Sequence, residues 1–183
     1  MMAFIMEKKL FIVTSIVLSL TVIFSTLCLF GFTKVALPFA ITFGTTTYHF
    51  IMRLVVGLCV CKQLKLDCSQ KRFRVSAAEQ RLYKLIRVKQ WKDKLPTYHP
   101  DNFDLSKRKP SDILSAGLYA ETGHTIMALL SFPPMLLAVP FGAIEVFALT
   151  SILGCILDLL FVIIQRYNRP RLLRALRQAK RTL

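Results

Sequence analysis

Gln80-Arg-Leu-Tyr-Lys-Leu-Ile-Arg-Val-Lys-Gln-Trp91-Lys-Asp-Lys-Leu-Pro96 lies at the centre of the one long polar stretch in this 183-residue sequence, and what flanks it decides the fold. The stretch runs from Lys62 to Pro110, carries 14 Lys or Arg against 5 Asp or Glu, and has long apolar runs on both sides. Leu82, Leu85, Ile86 and Val88 recur near helical spacing with basic residues between them and Trp91 towards the end. That pattern predicts a basic amphipathic helix lying on an anionic membrane surface, its apolar face in the acyl boundary and its Lys and Arg at the headgroups. A solvated charge run is the competing reading of the periodicity alone. The apolar runs on either side favour the membrane.

With 54% hydrophobic residues and a mean hydropathy of +0.51, the chain is more apolar than a soluble domain of its size. Its net charge of +15 is concentrated in the belt and in the tail from Arg166, each adjoining an apolar run. Positive charge beside apolar runs is a topology signal before it is a nucleic-acid footprint, so no nucleic-acid partner is expected. Cys28, Cys59, Cys61, Cys68 and Cys155 form no repeated CxxC pairs and no zinc-finger spacing. They read as buried thiols, three of them near the face where reversible palmitoylation is chemically open. A serine-nucleophile elbow, a Gly-rich phosphate loop and a dinucleotide fingerprint are absent.

The fold class expected is all-α: an integral-membrane bundle of about four transmembrane helices, at 10–33, 35–61, 112–139 and 141–165, with a cytosolic amphipathic belt at 62–110 and a basic tail at 166–183. The whole reads as a single membrane domain. The first run lacks the short apolar core and small-residue cleavage site of a signal peptide and is expected to be retained. A Gly31-Phe-Thr-Lys34 turn makes the first two spans an antiparallel hairpin, with Pro38 near the start of the second. Ser111-Asp112 is expected to cap the third span, Pro133-Pro134 to interrupt it late, and Pro140 to separate it from the fourth. Lys and Arg flank all four spans on one side, which predicts a multi-pass protein of the cell membrane with both termini and the belt in the cytosol.

Ionisable residues at membrane depth are expensive, and each is a candidate functional group. The second span offers His49 and Arg53 on one helical face, the third Glu121 and His124, and the fourth Asp158, with Glu145 near its outer end. Counting in from the cytosolic boundary places Arg53, Glu121 and Asp158 roughly 12 to 15 Å deep and the two histidines roughly 20 Å deep. Arg53 is expected to pair with Glu121 or Asp158, since pairing removes much of the cost of a lone charge. The bland reading is interhelical glue without chemistry. The chemical reading uses a neutral imidazole as the base that takes a proton from a hydroxyl nucleophile. Glu121-x-x-His124 also has the spacing of a di-iron bundle motif, but a second motif and further inward carboxylates are missing, so no metal is expected.

The fourth span exits through Gln165-Arg-Tyr-Asn-Arg-Pro-Arg-Leu172, where Pro170 is expected to break or kink the helix and send a basic continuation along the membrane. Arg166, Asn168, Arg169 and Arg171 crowd this interface, where Arg forks bind phosphate or carboxylate. Here the sequence resembles the glycosyl-diaponeurosporenoate acyltransferases, which esterify a sugar hydroxyl of a carotenoid with a fatty acyl group. Three blocks carry the likeness in the family's order: Arg87-Val-Lys-Gln-Trp91-Lys-Asp-Lys94, Glu121-Thr122, and the exit motif Gln165 to Leu172. Glu121-Thr122 continues here as Gly123-His124-Thr125-Ile126, where the family usually reads Arg-Ala-Glu-Leu. The resemblance implies an integral-membrane acyltransferase with an acyl thioester or lipid ester as co-substrate and no further cofactor. Its partners would be membrane lipids, an acyl donor and an amphiphilic hydroxyl acceptor.

The site roles rest on position and chemistry. His124 is expected as general base, Glu121 as the carboxylate that orients it, and His49 as a helper or oxyanion donor. Arg53 and Asp158 hold charge in the site, while Trp91, Arg166, Asn168, Arg169 and Arg171 meet the substrate's headgroup or phosphate. A lipid-binding or transport bundle using the same polar layer, or an accessory subunit in which that layer is glue, are the non-enzymatic alternatives.

Overall fold

The computed structural model describes residues 2–60, 64–95, 104 and 107–179. Cys61 at the end of the second span and the remaining belt and tail positions lie outside the described residues. Among the described residues the chain is helical without strands, and four helical stretches are long and apolar enough to cross a membrane.

Helix α1 (Met2–Leu29) and helix α2 (Thr33–Val55) form the expected hairpin. The turn between them is a Schellman motif: the Gly31 N–H donates to the Cys28 carbonyl, the Phe32 N–H reaches back to Leu27, and Gly31 takes a φ of 93°. That left-handed conformation suits a residue without Cβ, and it ends α1 four residues earlier than apolarity alone implies. The hairpin is zipped by a Thr21–Thr47 hydroxyl hydrogen bond of 2.9 Å and by Phe24 stacked on Phe39 and Phe43. Past Val55 the chain loosens into a π-helical turn at Val56–Val60.

The belt is not one amphipathic helix. Helix α3 (Ala77–Leu85) starts with a capping box in which Ser76 and Glu79 each accept from the other's backbone N–H. It stops where Arg87 turns left-handed, at φ 51° and ψ 43°, and helix α4 (Val88–Trp91) follows in a new direction. Tyr83 and Val88 are buried against the bundle, whereas Leu82, Leu85 and Ile86 remain exposed beside Arg81, Lys84 and Arg87. Trp91 turns its indole N–H onto the Ile86 carbonyl at 2.9 Å, bracing the break. Leu85, 78% exposed, is the most prominent of this apolar set. In bilayers, brominated acyl chains should quench Trp91, the only Trp. Leu85→Ser with Ile86→Gln should weaken that quenching at unchanged helicity. Quenching that stayed the same would show that the exposed triad does not hold the belt to lipid.

Helix α5 (Pro110–Leu129) begins with Pro110 at its first turn and Lys109 as its N-cap, not with a Ser111-Asp112 cap. Proline fixes φ where the N–H is unneeded, and the Ser111 hydroxyl turns to Asp112 instead. At the far end a 3-10 turn at Pro133–Leu137 and helix α6 (Ala138–Phe141) lead through left-handed Gly142 and Ala143 into helix α7 (Ile144–Ala179). Helices α5 and α7 pack along their length, with α2 against α7 and the π-helical turn at Val56–Val60 against α5. Small residues let them close: a Cβ on Gly117 would lie 3.3 Å from Gln165 Oε1, and one on Gly154 would lie 3.2 Å from Ser131 Oγ.

The expected break at Pro170 does not occur, and α7 runs through it for 36 residues, about 54 Å at 1.5 Å per residue. Proline forfeits one backbone hydrogen bond and crowds the preceding turn. Anchored side chains at Arg166 and Arg169 hold the helix on the N-terminal side of Pro170. The thiols also differ from expectation: Cys59 and Cys68 are exposed, and Cys28 and Cys155 are half-buried.

Candidate active site

Two ion-paired layers stack inside the bundle. The inner one is centred on Asp158, which is 1% exposed. Its Oδ2 accepts from Arg53 Nη2 at 2.6 Å and its Oδ1 lies 3.0 Å from His124 Nδ1. Arg53 also donates to the His49 carbonyl at 3.0 Å and to the Gly154 carbonyl at 3.2 Å. The His124 ring stacks on Phe161, with centroids 4.6 Å apart, so ring and carboxylate together fix its orientation. A carboxylate at Nδ1 requires the Nδ1–H tautomer and leaves Nε2 with its lone pair. The His124 side chain keeps 26% of its surface exposed, so this base is not sealed.

His49 is buried, and neither ring nitrogen has a hydrogen-bond partner. Its Cε1 would stand 3.4 Å from a Cβ at Gly154, beside Arg53 and the buried Ser131. Thus His49 and Arg53 from α2 and Ser131 from the turn after α5 meet at the notch that Gly154 leaves on α7, and Arg53 links them to Asp158 and His124. Among the described residues no three His, Cys, Asp or Glu side chains gather as metal ligands.

The outer layer joins the belt to the bundle. Arg166 donates through Nε to Glu79 Oε1 at 2.7 Å and through Nη1 to Glu121 Oε1 at 2.7 Å. It also reaches the backbone carbonyls of Arg72 and Arg74, each at 3.0 Å. Arg169, 3% exposed, pairs with the second Glu121 oxygen, donates to the Phe73 carbonyl at 2.7 Å and lies over the Phe73 ring. Tyr83 completes the layer by donating to Glu79 at 3.1 Å and meeting Tyr167 edge-on. Within each layer carboxylates match guanidinium groups one for one, so no net charge is stranded at depth.

The pairing corrects two expectations. Glu121 does not orient His124, although both lie on one face of α5, because Arg166 and Arg169 of α7 hold its two oxygens. Charged donors hold a carboxylate better than a neutral imidazole does, and Asp158 takes the orienting place. Arg166 and Arg169 likewise face protein carboxylates and carbonyls instead of a headgroup. Arg171 is exposed, with Nη2 donating to the Tyr167 hydroxyl at 3.1 Å; Asn168 is half-buried, and Trp91 is engaged with Ile86. Glu79, Phe73, Ser131 and Phe161 were not singled out by sequence. Gly154, four residues before Asp158 in a bulky helix, was the readable sign of a close approach there.

The Arg166 guanidinium beside Glu79 lowers that carboxyl from an ordinary 4.5 to about 2. A depressed carboxyl contributes its stability above the unfolded value, so the contribution is intact above pH 4.5 and disappears as pH falls towards 2. Acid should therefore loosen the belt within that window. Glu79→Gln should loosen it at neutral pH by about 1 kcal/mol, a figure discounted for partial exposure. Cleavage by a protease at Lys71 to Arg74 would read both effects, and equal protection in wild type and variant would rule the clamp out.

An all-α membrane protein with a buried imidazole–carboxylate–guanidinium relay is the class these observations define. Residues 68–178, more than half of the chain, match the glycosyl-4,4'-diaponeurosporenoate acyltransferase (CrtO) family, and the chain belongs to it. It is thus an acyltransferase of carotenoid biosynthesis. No curated protein and no solved structure matches the chain. The matched segment holds most of the belt, α5 and nearly all of α7, and with them every member of both layers except His49 and Arg53.

Proposed function

We propose that this enzyme transfers a fatty acyl group from a thioester or lipid ester to a hydroxyl of a glycosylated carotenoid-type amphiphile, in a site open to the cytosolic leaflet. The observation that carries this reading is His124 held at Nδ1 by buried Asp158, itself neutralised by Arg53. The acceptor hydroxyl gives its proton to His124 Nε2 as its oxygen attacks the acyl carbonyl carbon. A C–O ester bond forms, the C–S bond of the thioester or C–O bond of the lipid ester breaks, and His124 returns the proton to the leaving group. Asp158 stabilises the imidazolium between these steps without itself becoming protonated. His49, whose nitrogens have no protein partner, is the donor for the oxyanion.

An open apolar groove of about 460 Å³ runs along α2 past Gly44, Tyr48, Met52 and Val56 to Leu130. Its size falls in the usual range for small-molecule sites, about 300 to 1,000 Å³. Tyr48 is shared between this groove and the His49 layer, with the two rings edge to face, which favours a long hydrocarbon chain lying beside the site. The basic flanks of all four spans support a multi-pass protein with both termini and the belt in the cytosol. Lipid mass spectrometry of cells with and without the protein tests the function. Loss of an acylated glycolipid with accumulation of its unacylated form is expected, and an unchanged lipid profile would overturn the reading.

A further inference from the structure

About 20 residues suffice for a helix to cross the hydrocarbon core, and α7 has 36. Counted from Ile144, the crossing ends near Ile164, and the headgroup layer takes up about four more residues. By that count the helix from Arg171 onwards lies beyond the headgroup layer, on the same continuous helix as the span. It carries Arg171, Arg174 and Arg177 at a spacing of three, all exposed, while Leu172, Leu173 and Leu176 are half-buried. Two of these arginines are braced: Arg171 lies over the Tyr167 ring and bonds its hydroxyl, and Arg174 Nε donates to the Pro170 carbonyl at 3.3 Å. Beyond Asp158 the sequence has no Asp or Glu, so nothing on this helix neutralises the stripe.

We infer that the Arg171, Arg174 and Arg177 stripe is the docking surface for an acidic acyl carrier protein that delivers the acyl thioester. The inference rests on the acyl-transfer reading and narrows its donor. Three observations select the partner. The stripe is convex and about 9 Å long, which suits a protein surface; the phosphates of a free nucleotide donor need a concave site. By residue count it begins past the headgroup layer, which disfavours a bilayer surface as its occupant. It lies on the helix that holds Asp158, 13 residues or about 20 Å further on, so a thioester on a carrier's flexible arm approaches from the same end as the site.

The test uses full-length protein in nanodiscs of zwitterionic lipid, with palmitoyl-loaded acyl carrier protein, palmitoyl-CoA and palmitoyl-pantetheine as probes. Wild type should bind the carrier in a salt-sensitive manner. Arg174→Glu with Arg177→Glu should weaken that binding at least about tenfold and lower transfer from the carrier to match, leaving transfer from palmitoyl-pantetheine unchanged. Equal carrier binding by wild type and variant would overturn the inference. So would an equal loss with all three donors, or a stripe that binds only anionic vesicles. A wild type that binds the carrier but transfers from no donor would overturn the acyl-transfer reading and leave the docking surface standing.

Discussion

His124→Gln should lower acyl transfer by about 100- to 10,000-fold, the usual contribution of a positioned general base. Gln retains an amide donor for Asp158 Oδ1, 3.0 Å from the ring nitrogen it replaces, and fills nearly the same space against Phe161. The interhelical bond it perturbs contributes only about 0.6 to 2 kcal/mol in a membrane protein, so the fold should survive with a nearly unchanged thermal midpoint. Product formed per mole of folded protein is the quantity to measure. Activity that fell only in proportion to folded protein would reduce His124 to a packing residue.

The largest stability effect should come from Asp158→Leu. It removes the sole carboxylate of the inner layer and leaves Arg53 charged beside the His49 and Gly154 carbonyls, at a cost of about 3 to 5 kcal/mol. Adding Arg53→Leu should return most of that stability, because exchanging a whole buried pair for apolar side chains is often neutral or favourable. Transfer should stay low in the double variant, since His124 has lost the group that sets its tautomer. Thermal unfolding of both variants, compared with their turnover, separates the two roles. A single variant as stable as wild type would mean that Arg53 finds water when Asp158 is gone.

Counting residues from the basic flanks was enough to put Arg53 and Asp158 at one depth, and they do pair. The same count assigned Glu121 to that layer, where it does not belong. A depth count does not register the long side chains of Arg166 and Arg169, which reach Glu121 from the exit end of α7. Local propensity foresaw a break at Pro170, and ion pairs formed with residues almost fifty to ninety positions away prevailed. The hairpin was legible because Gly31 announces its own backbone conformation. The left-handed Arg87 was not, because its side chain has no preference for that region. The three blocks that resemble the acyltransferase family all lie inside the matched segment.

The balanced pairing of the two buried layers has an electrical consequence. A membrane potential does work of about 2.3 kcal/mol per elementary charge for each 100 mV crossed. Arg53 with Asp158, and Arg166 and Arg169 with Glu79 and Glu121, each sum to zero, so the field exerts almost no net force on the interior of the bundle. Acyl transfer in an energised membrane should therefore proceed at the same rate as in a depolarised one. Neutralising one member of a pair would convert the bundle into a weak voltage sensor.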